Sequence, residues 1–431
     1  MSGIGGLRRR FRALRGRLGR LGGLRERIRA LRERTGALAG RIDAATPAGR
    51  DRTVDALRAF AIGGVILGHW MVTALVPGPA RAGAQLHDAS PLAAQPALTP
   101  VSWIFQTLAV FFFVGGYAAA RSYSGNYAAW LRKRLARLTR PVLALIALWA
   151  PLAIGLTIAG TSWPTLHTML MLVMSPLWFL GVFAGLTALT PPAMALARRF
   201  GAAGAFFPLA VVAGADLVRF GLGGPSMFGW VNVAAGWMVP YLLGMAWARG
   251  SFRSWKAPAL MLAGGVAATV ALVTWARYPA SMVGVNGAAI SNLNPPTLAA
   301  VTFGIAQVGL ALLLRDRLAR CMRRPLAWSC VAMVNLSAMT LFLWHQTAFL
   351  AVTMAASAAG RVPGLLTAPS TGVWVIERIA WLPVFGVALG LLWLLVRRAE
   401  HPHPHGRGRQ ERSSTVMVHQ AKTPAAPALR P

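Results

Sequence analysis

Acidic residues are scarce in this chain of 431 residues: 11 Asp and Glu stand against 44 Lys and Arg. Charge of either sign is thin as well, at 13% of residues. Ordinary soluble proteins carry roughly 25%. Cysteine is nearly absent. Cys321 and Cys330 lie nine residues apart and form no CxxC, so neither a disulfide framework nor a structural zinc site is suggested. Several motifs are missing too. There is no GxSxG, no P-loop, no HExxH and no GxGxxG after a strand, which leaves phosphate-cradling and serine-hydrolase chemistry without support.

Apolar residues fill the space. They make up 56% of the chain, and the mean hydropathy is +0.53. Such a composition excludes an ordinary cytosolic enzyme and a disordered polar chain. It predicts an all-α, polytopic membrane bundle. A crossing of the roughly 30 Å bilayer core takes about 20 residues of helix. Ten apolar runs meet that need, at 53–76, 100–120, 141–160, 166–189, 203–220, 228–248, 257–276, 297–315, 326–355 and 373–396.

The net charge of +33 suggests a nucleic-acid binder at first sight, but its distribution does not. Fifteen basic residues lie in 1–52 and seven in 397–431, and most of the rest cluster in short loops between the apolar runs. With the N-terminus inside, 38 basic residues fall on the cytoplasmic side and three, Arg81, Arg277 and Arg361, outside. Arg58, Arg219 and Arg378 fall within or at the edge of spans. A split this uneven sets the topology: both termini cytoplasmic, in the plasma membrane, with no nucleic-acid partner.

Three regions follow. Residues 1–52 form a basic cytoplasmic arm whose Arg/Leu repeat reads as an amphipathic helix on anionic lipid or as a solvated arm. Residues 53–397 form the membrane domain. Residues 398–431 form a Pro-, Arg- and His-containing tail with the composition of a disordered cytoplasmic segment.

Ionisable residues inside a span are expensive and point to function by default. The first span holds Asp55, Arg58 and His69. Arg58 and His69 are eleven residues apart, which at about 100° per residue is roughly 20° from full turns. Asp55 and Arg58 are an i,i+3 pair, so all three share a helix face. His69 stands roughly 16 Å further along the axis than Arg58, in the outer half. His345, in NLSAMTLFLWHQT, sits in a span that runs the same way, and should reach the same depth. Simpler readings exist for each. Asp55 and Arg58 can be a capping and snorkelling pair, and either histidine can be a hydrogen-bonded core residue. His167 reads as interfacial. Asp216 with Arg219, and Glu377 with Arg378, read as local ion pairs. Trp163, Trp178, Trp230, Trp237, Trp247 and Trp374 read as aromatic belt.

These residues also carry a resemblance. RTVDALRAFAIGGVILGHW at 52–70 is similar to the first helix of the integral-membrane acyltransferase-3 family, whose hallmark is an Arg and a His with ten residues between them, here Arg58 and His69. FFFVGGYAAARSY at 111–123 resembles the family's FF-x-x-S-G-Y segment. WLRKRLARLTRPV at 130–142 resembles its basic loop, matched at Arg134 and Arg137. SPLWFLGV at 175–182 and LFLWHQT at 341–347 resemble its LW-x-L segment and late histidine-bearing helix. Two positions depart. Gly115 replaces the usual Ser, and Gly181, Val182 and Phe183 stand where an acidic residue commonly closes the LW-x-L segment, so no acid role carries over there.

The resemblance implies transfer of an acyl group, usually acetyl, from cytosolic acyl-CoA to a hydroxyl on a surface carbohydrate, lipid or metabolite. It implies His69 as general base, with Arg58, Asp55 and His345 supporting it. Arg134 and Arg137 are implied at the CoA phosphates. Acyl-CoA is then a substrate, and no tightly bound cofactor or metal is expected. The competing class is a secondary transporter or lipid flippase, which also has about ten spans and buried charges.

Overall fold

The computed structural model describes residues 26, 29–30, 32–78, 85–285, 287–288 and 290–400, the last three by backbone alone. Most of the Arg/Leu repeat, Arg81 and the tail from 401 lie outside the described residues. Among the described residues the chain is a helical bundle with one small hairpin.

The first long helix, α1 (Arg52–Val72), starts where Asp51 accepts hydrogen bonds from the amides of Thr53 and Val54, at 3.0 and 3.2 Å. A carboxylate here satisfies two N–H groups that have no intrahelical partner. After Thr73 the chain turns into β1 (Ala74–Pro77) and β2 (Leu86–Ala89), paired antiparallel with Ala74 opposite Ala89 and Pro77 opposite Leu86. This hairpin marks one end of the bundle; the arginine-rich turns mark the other.

The helices that follow are α2 (Leu108–Ser122), α3 (Tyr127–Ile158), α4 (Trp163–Met174), α5 (Leu177–Ala188), α6 (Thr190–Phe200) and α7 (Phe206–Asp216). Then come α8 (Val231–Ala248), α9 (Lys256–Thr274), α10 (Leu298–Cys321), α11 (Pro325–Leu336), α12 (Ala338–Ser357) and α13 (Gly372–Glu400). Among the described residues, nine helical stretches are long and apolar enough to cross a membrane. They correspond to nine of the ten expected spans.

The tenth, α2, is the exception. It has 15 residues, roughly 22 Å at the helical rise, short of the bilayer core. Residues 100–107, expected inside this span, lie in a short helix (Thr99–Ser102) and turns instead. Two further boundaries differ. The expected span 326–355 breaks at Ser337 (φ −103°, ψ 9°) into α11 and α12. The third span begins at Tyr127, not near 141, because the Arg/Leu-rich segment continues the helix. Arg and Leu are good helix formers, and the side chain of Asn126 caps the start by accepting from the Ala129 amide at 3.1 Å.

Lipid supplies no hydrophobic drive between helices, so close backbone packing must hold them. At the α2–α8 crossing a Cβ on Gly116 would lie 1.9 Å from the Tyr241 carbonyl oxygen, and one on Gly244 1.9 Å from that of Phe113. No side chain fits at either position. The crossing fixes α2 in the middle of the bundle, where Phe112 and Phe113 are fully enclosed.

Two charged pairs part ways. Buried Asp216 lies 3.9 Å from Arg219. It accepts from Asn232 Nδ2 (2.9 Å), the Tyr278 hydroxyl (3.1 Å) and the Leu298 amide (2.7 Å), tying together α7, α8 and α10 at the hairpin end. Glu377 and Arg378 form no ion pair. The Arg378 guanidinium is fully buried over Trp374, Phe349 and Phe385 and donates to the Thr73 carbonyl at 2.8 Å. The belt reading fits Trp163 and Trp230, which are exposed. It fails for Trp237 and Trp374, which are core residues; Trp237 stacks on Phe112.

Candidate active site

α1 and α12 bring two distant parts of the chain together. His69 Nδ1 and His345 Nε2 are 2.7 Å apart. The rings lie 20° from coplanar with centroids 4.9 Å apart, the arrangement of an in-plane bond between ring edges and not of a face-to-face stack. His345 Nδ1 lies 2.6 Å from the Phe342 carbonyl oxygen, which can only accept. His345 Nδ1 therefore carries a hydrogen. With both rings neutral, His345 Nε2 is the acceptor, and His69 Nδ1 donates to it. This leaves His69 Nε2 as a free lone pair. The Trp70 indole N–H, donating to the His345 carbonyl at 3.0 Å, pins α1 to α12 beside the pair.

His69 lines a cavity of about 570 Å³ that opens at the hairpin end. Asp88 and Ser90 lie at its rim, with Gln106, Gln346, Ser291 and Asn294 among its polar walls. Among the described residues no Lys or Arg lines it. Gln106 Oε1 accepts from the Leu108 amide at 3.0 Å, which leaves its amide N–H groups as donors. Gln346 is nearly fully buried, and its Oε1 has no partner among the described residues.

A second cavity, of about 270 Å³, lies toward the basic end. Arg58, Arg134 and Arg137 line it, with Asn335 and an apolar wall that includes Phe111, Leu180 and Phe183. Arg134 is held by the Ala118 carbonyl at 3.0 Å and by the Ser122 hydroxyl, and lies over the Trp130 ring. Arg58 is 3.4 Å from Asp55, whose other oxygen is 2.5 Å from Arg50. Asp55 lines neither cavity. It is buried beneath the basic end, where Asn335 also donates to its carbonyl at 2.8 Å.

The candidate residues thus divide. His69 and His345 meet each other; Arg58, Arg134 and Arg137 share the other cavity; Asp55 backs Arg58. His167 is exposed at the hairpin end, beside Trp163. Among the described residues no cluster of three or more His, Cys, Asp or Glu could hold a metal ion. Sequence reasoning passed over Gln106 and Gln346, and took Arg378 for half of an ion pair. Gln346 had a signal in its place next to His345. Arg378 had one in its lone charge at a span end, which the adjacent Glu377 masked.

The two departures turn out to be neighbours. A Cβ at position 115 would lie 2.6 Å from the ring of Phe183. Phe183 fills the place a serine side chain would need.

No curated protein and no solved structure matches the chain. A family model, described as an acyltransferase domain, matches residues 51–397. The match takes in α1 with Arg58 and His69, α3 with Arg134 and Arg137, and α12 with His345, so both cavities lie inside it, and the chain belongs to the acyltransferase-3 family as a multi-pass membrane acyltransferase.

Proposed function

We propose that the protein is an O-acyltransferase. It moves a short acyl group, acetyl in the first instance, from cytosolic acyl-CoA to a hydroxyl of a carbohydrate, lipid or metabolite at the outer face of the plasma membrane. The observation that carries this is the His69–His345–Phe342 chain at the wall of the larger cavity, which leaves a single imidazole lone pair for a hydroxyl proton. The uneven basic split supports an inward-facing basic end, with both termini cytoplasmic. The hairpin end then faces outward.

On this reading the acceptor O–H gives its proton to His69 Nε2 as its oxygen attacks the thioester carbonyl carbon. The carbonyl electron pair moves onto oxygen, where the amide N–H groups of Gln106 and Gln346 are the available donors. Collapse restores the carbonyl and breaks the C–S bond. The leaving thiolate takes the proton back from His69. The products are an ester and free CoA, and His69 is neutral again. His345 supports the transient imidazolium by accepting from Nδ1.

At the basic end, Arg58, Arg134 and Arg137 suit the CoA phosphates, because guanidinium groups make strong charge-assisted bonds to phosphate. Asp55 holds Arg58 in place. The arm adds attraction to anionic lipid. Mass spectrometry of surface glycans, lipids and metabolites, with and without the gene, tests the reading. An acyl mass shift in one acceptor class is expected. No shift, together with no binding of CoA to the purified protein, would sink it.

A further inference from the structure

The two cavities approach each other from opposite ends of the bundle, and their linings have two residues in common: Phe179 on α5 and Phe342 on α12. Both rings are buried, and their centroids are 5.4 Å apart. The Phe342 ring centroid is 6.1 Å from that of His345, while its carbonyl holds His345 Nδ1. Behind Phe179 stands an aromatic wall. Phe111 meets it edge-on at 4.9 Å and Phe112 at 5.0 Å, and Phe183 packs on both. The wall gives Phe179 little room to retreat. The two rings are the partition between a cationic chamber and the chamber of the histidine pair.

We propose that Phe179 and Phe342 form an acyl-length gate, a seal that the thioester end of the donor crosses to reach His69 and that limits the transferred group to a short chain. The inference rests on the acyl-transfer reading above. Its physical basis is simple. A donor whose phosphates lie at Arg58, Arg134 and Arg137 must thread its acyl end between the two rings. A small acyl group needs a small displacement of the rings; a long one must hold the gap open along its length, against a packed aromatic wall. The same seal keeps the two chambers from joining into a wet path across the membrane.

The test uses the full chain in lipid nanodiscs and in proteoliposomes. The probes are acetonyl-CoA and longer ketone homologues up to an octanoyl mimic, in which a methylene between sulfur and carbonyl prevents transfer, so no acceptor is needed. Wild-type protein should bind the acetyl mimic and gain nothing from a longer chain. Phe342→Ala should let the chain extend into the larger cavity and tighten the octanoyl mimic relative to the acetyl mimic by about tenfold or more, given the value of each buried methylene. Phe342→Leu and Phe179→Leu, which keep more of the packing, should move the ratio the same way by less. Proteoliposomes of Phe179→Ala/Phe342→Ala should leak protons faster than wild type. Unchanged length ratios in folded variants that still bind the acetyl mimic would overturn the gate alone. Wild-type protein that binds none of the CoA probes would overturn the donor assignment, and the gate with it.

Discussion

The two cavities are built for different work. The one at the hairpin end holds uncharged polar groups around an imidazole pair, with Asp88 at its rim and no Lys or Arg among the described residues of its wall. The one at the basic end has three arginines on an otherwise largely apolar lining. On the proposed reading, proton chemistry at the first is kept apart from anion binding at the second. A cation beside His69 would oppose the imidazolium that a general base must become. A membrane bundle has no outer surface on which to spread such a site, so the separation is along the bundle axis, with helices α1 and α12 carrying groups to both chambers.

The strongest way to break this comparison is to remove the base. His69→Ala and His69→Gln are both expected to insert normally and to lose acyl transfer by about 10²-fold or more, the lower end for loss of a general base. Glutamine keeps hydrogen bonding but cannot take the proton at neutral pH. Turnover of labelled acetyl-CoA per folded protein is the measure. Near-full turnover by His69→Gln would make the hairpin-end cavity a passive one. His345 is a positioning residue on this account. His345→Ala should cost about 10- to 100-fold, the value of a hydrogen bond to a charged group. His345→Gln should recover part of the loss, because an amide oxygen can accept from His69 Nδ1. Equal defects in the two His345 variants would argue for a packing role.

The basic end gives a smaller effect of a different kind. Arg134→Ala with Arg137→Ala should raise KM for acyl-CoA about tenfold and leave the acceptor KM alone, as expected for lost ground-state contacts to phosphate. A defect in the acceptor KM, or none in the donor KM of a correctly inserted protein, would leave these arginines as topology determinants.

The pairing of Gly115 with Phe183 sharpens the comparison from within the second cavity. Gly115→Ser adds atoms where the Phe183 ring already sits, and overpacking of this sort costs about 1–3 kcal/mol. Thermal unfolding should show the loss, and Phe183→Ala should relieve it in the double variant. Additive effects would mean that the two sites are independent and that the shared departure from the family pattern is coincidence.

Much of this organisation is legible in the residues, and the misses have physical causes. Hydropathy finds nine long helices because burial in lipid demands long apolar runs. It overestimates α2 because a helix enclosed by others need not match the bilayer, and Phe105, Gln106 and Thr107 are turned in toward α1 and α10. Depth arithmetic places His69 and His345 at one level, but not the bond between them, since rotation about each helix axis is set by packing partners far away in sequence. Arg378 is misread because adjacency to Glu377 suggests a pair, whereas neighbours on a helix point in different directions. The shared wall of Phe179 and Phe342 has no sequence signature at all. It is a property of two helices meeting.

The smallest effect is expected at the arm. Its last turn is docked: the Trp328 indole N–H donates to the Thr46 hydroxyl at 2.7 Å, and Arg50 and Arg52 lie over the Trp328 ring at 5.6 and 4.8 Å. Arg52 also bridges Asp43 at 2.6 Å, with both side chains partly exposed. Deleting 1–45 removes Asp43, the buried Ala39 and Ile42, which packs against the cluster of Ala56, Met322, Trp328 and Ala332, but leaves Thr46, Arg50 and Arg52 on α11. A partly exposed ion pair contributes about 0–1 kcal/mol, and the lost contacts of Ala39 and Ile42 add to it, so stability should fall modestly while turnover in detergent barely changes and retention on anionic vesicles falls. Deleting 1–52 is a different matter. It takes Arg50, the 2.5 Å partner of Asp55, and Asp51, which caps α1 and accepts from the Tyr117 hydroxyl at 2.9 Å. Asp55 is then left to Arg58 alone, and the basic-end cavity should lose donor affinity before the hairpin-end cavity loses anything. If the shorter deletion already abolishes turnover in a folded protein, the arm belongs to the donor site, and the two ends of the bundle are not as separable as their linings suggest.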